Sequence, residues 1–184
     1  MCSEKAVDGD SLSDVFNALF LEQEGTVLRG GASEPLYEPA QASQPAIIHY
    51  REDFAASALH EVAHWCIAGP SRRKLLDYGY WYEPDGRDAI TQQRFALVEA
   101  KPQALEWCFA QAAELGFRLS LDNLDGAQEL HAIENFRALV QRAARDYQGQ
   151  GLPNRARRFF DALADRFNPG FKVEDLSFEG KLAA

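Results

Sequence analysis

The sequence predicts an α+β fold in which a small sheet packs against several helices, as a single domain over residues 1–184. Helix signals mark five segments, whereas strand-prone runs are few and short. Apolar residues make up 46% of the 184-residue chain, which is enough to bury a core without disulfides. The chain shows no internal repeat and no long linker. We therefore expect one domain with one hydrophobic core.

The first predicted helix covers residues 12–20, where apolar side chains recur at i, i+3, i+4, i+7 and i+8: Leu12, Val15, Phe16, Leu19 and Phe20. Ser11 or Ser13 is available as its N-cap, and Gly25 is expected to end it. Residues 26–50 are rich in Gly, Pro and Ser. Within them the pieces 26–28 and 46–50 are β-prone, so we predict short strands and loops there.

A second helix is predicted over residues 54–68, with Asp53 as its N-cap. Gly69 and Pro70 form a strong stop signal, because glycine accepts the left-handed cap and proline cannot continue a helix. Residues 78–82 are aromatic and strand-prone, and Pro84-Asp85-Gly86 marks a turn after them. This pattern predicts a further short strand.

Three more helices are predicted, over residues 91–115, 127–147 and 154–167. Gly116 is expected to end the first of them, and Pro153 to start the last. Pro102 lies well inside the first. Because proline lacks a backbone N–H and its ring clashes with the carbonyl of Val98, we expect a kink there.

Charge and cysteine usage exclude several classes of protein. The chain has 28 acidic and 19 basic side chains, a formal net charge of −9, so we expect no direct nucleic-acid binding. Cys2, Cys66 and Cys108 are widely spaced and form no close pair, which favours a reduced, cytoplasmic location. No apolar run is long enough for a membrane span or a signal peptide, so we also predict no membrane association. We further expect a monomer.

The positive charge is concentrated in residues 137–158, which contain one acidic side chain and six arginines: Arg137, Arg142, Arg145, Arg155, Arg157 and Arg158. One interpretation is a solvated helix face with salt bridges to the acidic N-terminal third of the chain. The other is a docking surface for an acidic partner. The sequence leaves both open.

The chemical motif is His60-Glu61-Val62-Ala63-His64, an HExxH sequence. Residues i and i+4 lie on one face of a helix about one turn apart, so both imidazoles can reach a single metal ion. Glu61 lies beside them, near the open coordination position. Metal binding is therefore the leading hypothesis, although two histidines on a core helix could also be purely structural.

A third protein ligand is required, because two histidines leave a divalent ion underligated. Glu99 is the best candidate: it lies in an apolar stretch, where an unpaired carboxylate would be costly to bury and a metal ion would offset that cost. Glu106 is its rival as a ligand, or a partner that orients a ligand. His49 and His131 are expected to be surface or hydrogen-bonded histidines instead.

Two histidines and a carboxylate fit two chemistries. One is zinc with an activated water and Glu61 as the general base of a peptidase or nuclease. The other is ferrous iron in a facial triad that activates dioxygen. A third possibility is a catalytically silent binding module. The ligand types alone do not decide among them.

The chain resembles the bacterial elongation factor P hydroxylases over residues 14–158. The resemblance rests on ASALHEVAHWCIAG (56–69), RRKLLDYGYWYEPDGRDAITQ (72–92), VEAKPQALEW (98–107) and DNLDG (122–126). These strings are far more specific than HExxH alone. The chain departs from the family pattern in its first dozen residues, near 30–45, and after about residue 165.

The resemblance implies hydroxylation of the lysine of elongation factor P that carries a β-lysyl group. It implies a non-haem Fe(II) site and dioxygen as co-substrate, and we find no 2-oxoglutarate motif. The implied ligands are His60, His64 and Glu99, with Glu61 orienting a histidine or a metal-bound water. The implied fold is a small α+β architecture similar to a bacterial metal-dependent ribonuclease.

The substrate implied by the resemblance is cationic, so its pocket should offer carboxylates. The loop residues Asp85, Asp88 and Asp122, with Asp125, are the candidates, although each also fits an ordinary turn or cap. Tyr82, with Tyr80 and Trp81, could line the channel and stack on the side chain, or pack in the core. We predict Tyr82, Asp85, Asp88 and Asp122 as substrate-binding residues.

Overall fold

Five α-helices and a three-stranded sheet make up the computed structural model, which describes residues 7–79, 89–120 and 129–179. The strands are β1 (Thr26–Ala32), β2 (Leu36–Glu38) and β3 (Ala46–Arg51). The helices are α1 (Gly9–Glu24), α2 (Ala55–Ile67), α3 (Ala89–Ala112), α4 (Glu129–Gln150) and α5 (Asn154–Phe167). The α+β prediction is confirmed.

The sheet has the order β1-β3-β2, with β1 parallel and β2 antiparallel to the central strand β3. β3 is central because it is almost wholly apolar, and Ile48 and Tyr50 are fully buried. Helix α1 covers the edge of β1, since the amide side chain of Asn17 binds both the N–H and the carbonyl of Leu28. This contact blocks further strand pairing along that edge.

The strands predicted at residues 26–28 and 46–50 are confirmed, but β2 is an addition that the sequence analysis missed. It is only three residues long and lies within the Gly/Pro/Ser-rich stretch, so it has no periodic signal of its own. Its pairing with β3 and the burial of Tyr37 stabilise it. Tyr37 also stacks on Tyr78, with ring centroids 4.2 Å apart.

Helix α1 has the predicted apolar face but a different cap. Asp8 is the N-cap, and its carboxylate accepts a hydrogen bond from the N–H of Ser11 at 2.8 Å. Ser11 is thus the third residue of a capping box, and Ser13 instead donates to the hydroxyl of Tyr50. Gly25 ends the helix in the left-handed conformation, as predicted.

Helix α2 lies within one residue of its predicted bounds, but both predicted caps are wrong. Phe54 occupies the N-cap position without a side-chain hydrogen bond, while the carbonyl of Asp53 accepts from the N–H of Gly9. At the C-terminal end, Ala68 is extended and Gly69 does not have a positive φ. The guanidinium of Arg155 binds the terminal carbonyls instead.

Helix α3 ends three residues earlier than predicted. Glu114 takes the left-handed conformation (φ 54°), and the N–H of Leu115 returns to the carbonyl of Ala110 at 2.8 Å. This geometry satisfies the last carbonyls, so Gly116 is not the cap. Pro102 lies inside the helix, as predicted; the kink stays a prediction.

The last two helices match the sequence analysis closely. Of the strand predicted over residues 78–82, only residues 78 and 79 lie in the described part of the chain, and they are not extended. α4 runs to Gln150, slightly beyond the predicted end, and α5 has the predicted bounds with Pro153 at its start. Residues Leu76–Gly79 form a 3₁₀ turn, in which Asp77 and Tyr78 have positive φ angles (46° and 57°). A left-handed residue cannot belong to a strand, so the prediction is wrong at its first two residues, and its remainder lies outside the described residues.

The arginine-rich stretch divides into structural and exposed members. Arg158 donates to the carbonyl of Leu19 and approaches Glu24, and Arg155 caps α2. Arg157 pairs with Asp161 on its own helix. A salt bridge to the acidic N-terminal third is therefore present for Arg158, whereas Arg157 pairs within α5. A docking role stays a prediction for the exposed Arg142 and Arg145.

Aromatic side chains from four helices form the centre of the core. Phe16 and Phe20 of α1 pack edge-on against Trp65 of α2, and Phe159 of α5 contacts Phe16 and Phe109. Helix α2 also packs against β3 and α3, so the HExxH helix lies inside the fold. None of the helices in the described ranges is both long and apolar enough to cross a membrane.

Candidate metal centre

The two motif histidines face each other on one side of α2. Their Nε2 atoms lie 3.1 Å apart, and their rings meet edge-on with centroids 4.7 Å apart. His64 is buried and His60 half-buried at the edge of a pocket. The i, i+4 spacing therefore places both imidazole nitrogens where a single ion could bind them.

Glu99 of α3 completes the group. Its Oε2 lies 3.4 Å from Nε2 of His60, and its Oε1 lies 3.5 Å from Nε2 of His64. The three side chains are the one His/Cys/Asp/Glu group in the described part of the chain whose ligand atoms converge, all within 4.8 Å. The prediction that these residues come together is confirmed.

These distances fit one divalent ion. Donors about 2.1 Å from a common ion lie about 3.0–3.5 Å apart when the ligand–metal–ligand angles are between about 90° and 110°. The two imidazole nitrogens are 3.1 Å apart, and each lies at such a distance from a different oxygen of Glu99, 3.4 Å for Oε2 and 3.5 Å for Oε1. All three donors come from the interiors of helices, which is the rigid support that a metal centre needs.

Small side chains allow α3 to carry Glu99 close to α2. Ala100 and Ala104 on α3 are buried, as is Ala63 on α2, and the two helices pack together. The distance between packed helices depends on the side chains at their contact, so alanines permit a close approach. This arrangement explains why an ionisable residue occupies an apolar stretch of the sequence.

The electrostatics of the group are those of a cation site. Burial acts to raise the pKa of Glu99, but the contacts with His60 and His64 outweigh it and hold that pKa well below its usual range. Burial acts to lower the pKa of His60, whereas Glu106 and Glu99 raise it well above its usual value. The carboxylate charge thus favours a positive charge at the imidazoles, from a proton or from a metal ion.

Glu106 contacts the other nitrogen of the His60 ring. Its Oε2 lies 2.8 Å from Nδ1, on the side of the imidazole opposite to His64 and Glu99. It is buried, and it lies two turns after Glu99 on α3. The sequence left two roles open for Glu106, a rival metal ligand or a partner that orients a ligand. Because Glu106 contacts the far side of the His60 ring, it does not belong to the converging group.

Glu61 lines the same pocket but contacts neither histidine by a hydrogen bond within the described ranges. Burial raises the pKa of its carboxyl, and the nearby His64 and His60 act to lower it. The two roles considered for Glu61, general base and orientation of a histidine or a metal-bound water, both stay predictions. Its carboxylate is available to a ligand, a water or a substrate in the pocket.

The other two histidines lie elsewhere, as predicted. Nε2 of His49 on β3 pairs with Glu38 of β2 at 3.0 Å, which links two strands of the sheet. His131 on α4 is 93% exposed and lies near Glu134. Neither contributes to the converging group.

A pocket of about 580 Å³ opens above the three converging side chains. Its charged lining in the described part of the chain consists of five acidic residues and two arginines: Glu34, Glu61, Asp77, Glu99, Glu106, Arg51 and Arg118. Glu99 and Glu106 are paired with histidines, which leaves Glu34, Glu61 and Asp77 as the other carboxylates. The volume suits an extended side chain, and the lining suits a cationic one.

The sequence analysis missed the pocket wall formed by Asp77 and Tyr78. Oδ1 of Asp77 accepts a hydrogen bond from the N–H of Tyr37 at 2.8 Å, which ties this strained turn to β2. The ring of Tyr78 packs on Tyr37 and lies nearly parallel to that of His64. The available signal was Asp-Tyr-Gly, an aspartate and a glycine around an aromatic residue, which is typical of a turn.

All four predicted substrate-binding residues lie outside the described residues: Tyr82, Asp85, Asp88 and Asp122. Their assignment stays a prediction. The described neighbours of those segments do reach the pocket, since Tyr78 and Ser120 line it. Ser120 is fixed by two reciprocal hydrogen bonds between its backbone and the buried side chain of Gln103.

The fold and the site define an α+β protein in which an HExxH helix and a neighbouring helix bring two imidazoles and one carboxylate together. Comparison with known proteins gives the family. A family model described as elongation factor P hydroxylase matches residues 15–177, and the chain belongs to this family. It is also 45% identical over 150 residues to the elongation factor P lysine hydroxylase of Haemophilus influenzae, covering 81% of this chain and 83% of the relative.

Proposed function

We propose that this protein hydroxylates the lysine side chain of elongation factor P that carries a β-lysyl group, with Fe(II) as its metal and dioxygen as co-substrate. Family membership and the name of the Haemophilus influenzae relative support hydroxylation of elongation factor P. The observation that carries the metal part is the convergence of His60, His64 and Glu99 at the base of the pocket.

In this proposal His60, His64 and Glu99 hold the metal through Nε2, Nε2 and the carboxylate. Two neutral imidazoles and one carboxylate form the donor set of the facial-triad iron oxygenases, and three protein ligands leave positions open. A bound ferrous ion would supply the activation of dioxygen. The chain itself holds the ligands on two packed helices and encloses them beneath the pocket.

The acidic pocket supports a cationic substrate. The modified lysine carries two amino groups, and the side chains of Glu61, Asp77 and Glu34 place carboxylates around the pocket. We propose that these carboxylates, together with Tyr82, Asp85, Asp88 and Asp122, orient the side chain by charge-assisted hydrogen bonds. Binding both amino groups would present one methylene to the metal and hold the others away.

A second candidate is a zinc hydrolase, a peptidase or nuclease, with Glu61 as general base. The observation that favours it is the position of Glu61: the carboxylate lies in the pocket beside both histidines, where it can reach a water or a substrate. Burial raises the pKa of this carboxyl. This candidate predicts metal-dependent cleavage of a peptide or RNA that Glu61→Gln abolishes.

The experiment is a reaction of purified, anaerobically iron-loaded protein with β-lysylated elongation factor P, reductant and oxygen, read by mass spectrometry. We expect the modified lysine to gain the mass of one oxygen atom. The gain should require oxygen and be lost with His60→Ala and Glu99→Ala. His131→Ala is the matched control, because His131 is exposed and remote from the pocket.

Two results separate the candidates. Absence of a mass gain with the wild-type protein, or a gain that persists in Glu99→Ala, contradicts the hydroxylase. Hydrolysis of peptide or RNA by the zinc-loaded protein, abolished in Glu61→Gln, establishes the second candidate. Metal analysis of the anaerobically purified protein identifies the ion it carries from the cell.

A further inference from the structure

We propose that Glu106 is a positioning residue for the metal centre: it binds the Nδ1–H of His60 and so fixes both the orientation and the tautomer of that ligand. The inference rests on the proposed metal site and is independent of the proposed substrate. It concerns a contact between α2 and α3 that lies outside the converging group itself.

The first step is the geometry of one imidazole between two carboxylates. Nε2 of His60 faces Glu99 at 3.4 Å, and Nδ1 faces Glu106 at 2.8 Å. Glu99 and Glu106 lie seven residues apart on α3, which is two helical turns, so one face of α3 supplies both carboxylates. The ring of His60 is thus held at both nitrogens by a single helix.

The second step is the tautomer. A neutral imidazole carries one proton, and a metal ion must bind the nitrogen that lacks it. An ionised carboxylate can only accept a hydrogen bond, so Glu106 requires the proton to be on Nδ1. Nε2, the atom that faces His64 and Glu99, then has the free electron pair that a metal ligand needs.

The third step is burial. Glu106 is 7% exposed, and its hydrogen-bond partner in the described ranges is His60. An unpaired carboxylate at such a position would be costly, so the pair is built into the packing of α2 on α3. Both histidines line the pocket, but the side chain of His60 is 22% exposed and that of His64 only 7%. Glu106 thus adds a restraint to the histidine that the surrounding packing holds less.

The test compares Glu106→Gln and Glu106→Ala by equilibrium Co(II) and Fe(II) binding and by the visible spectrum of the Co(II) protein. Removal of a carboxylate that orients a ligating histidine lowers metal affinity by about 10–100-fold, so we expect that loss in Glu106→Ala, with an altered Co(II) spectrum. The amide oxygen of Glu106→Gln still accepts from Nδ1–H. We therefore expect it to retain affinity within about 10-fold of wild type, with a near-native spectrum.

Glu38→Ala is the matched control. Glu38 forms the same kind of pair with His49, at 3.0 Å, and neither residue lines the pocket. This variant should leave metal affinity and the Co(II) spectrum unchanged. Circular dichroism establishes whether each variant is folded. If Glu106→Ala does not fold, the metal affinity and Co(II) spectrum of Glu106→Gln test the inference alone.

Two outcomes overturn the inference. One is a folded Glu106→Ala protein with wild-type affinity and spectrum. The other is an equal loss of metal affinity in Glu106→Gln and Glu106→Ala, because a direct ligand would behave in this way. If the alanine variant does not fold, a loss of affinity beyond about 10-fold in Glu106→Gln has the same meaning. Neither outcome depends on hydroxylation, so a protein that binds metal as expected but leaves elongation factor P unmodified contradicts the proposed function alone.

Discussion

Arg155 donates a hydrogen bond to the carbonyl oxygen of Ala68, 2.7 Å away, and thereby ties α5 to the end of the helix that carries His60 and His64. The same guanidinium nitrogen lies 2.8 Å from the carbonyl of Trp65, and the group packs 4.6 Å from the centre of the Trp65 ring. A cation at this position also complements the negative end of the α2 dipole.

We predict that Arg155→Ala lowers the free energy of unfolding by about 3 kcal/mol. The loss combines charge-assisted hydrogen bonds with carbonyls that would be left without a partner. Arg155→Lys should restore only part of it, because an ammonium cannot span the carbonyls as a planar guanidinium does. Urea unfolding followed by circular dichroism measures both variants.

Arg145→Ala is the control for this prediction, since Arg145 belongs to the same arginine-rich stretch but is exposed on α4. Its effect should stay within about 0.5 kcal/mol. Equal stability of the Arg155→Ala and Arg145→Ala proteins would show that the cap at α2 has no energetic role. Charge reversal at Arg155 or Arg158 is unsuitable for testing a docking surface, because Arg155 binds the terminal carbonyls of α2 and Arg158 donates to the carbonyl of Leu19 in α1.

A second prediction concerns the strained turn at Asp77. Asp77→Asn keeps an oxygen that can accept from the N–H of Tyr37, and asparagine tolerates the left-handed conformation, so its stability should lie within about 0.5 kcal/mol of wild type. Asp77→Ala loses the acceptor and is strained at φ 46°, and should cost about 2–3 kcal/mol. Urea unfolding curves for the two variants are compared; an alanine variant as stable as the asparagine variant contradicts this account.

A third prediction concerns the buried thiols. Burial raises the pKa of Cys108 to about 12 and moves that of Cys66 above its usual range. At pH 8 the thiolate fraction of Cys108 is then about a thousandfold below that of a free cysteine. In a Cys2→Ser background, labelling by a disulfide reagent should be slow in the folded protein and rapid in urea.

The pH dependence of these thiols follows from the direction of the shift. A pKa raised in the folded state stabilises the fold fully below the pKa of the unfolded thiol, about 8.5, and this contribution is lost as pH rises toward the folded value. Stability should therefore fall above about pH 8.5, and Cys108→Ala should reduce that fall. Rapid native-state labelling at pH 8 would contradict the burial.

The elements predicted correctly are those with strong local signals. The apolar face of α1, the bounds of α5 after Pro153 and the HExxH spacing depend on nearby residues, so the sequence alone was sufficient. The convergence of Glu99 with the two histidines followed from one conflict: Glu99 is a carboxylate in an apolar stretch of helix. Functional sites are where such local rules are expected to be broken.

The features that were missed depend on contacts between distant residues. The cap of α2 comes from Arg155, about ninety residues after the helix, and β2 exists because β3 pairs with it. Likewise, the choice between ligand and positioning residue for Glu106 depends on which nitrogen of His60 it contacts. No periodicity or local propensity carries such information.

The most direct test of the central claim is the intact mass of elongation factor P after co-expression with this protein in cells that β-lysylate the factor but lack their own hydroxylase. The account predicts a gain of one oxygen atom on the modified lysine with wild type and His131→Ala, and none with His64→Ala. An unchanged mass with the wild-type protein, or a full gain with His64→Ala, would contradict it.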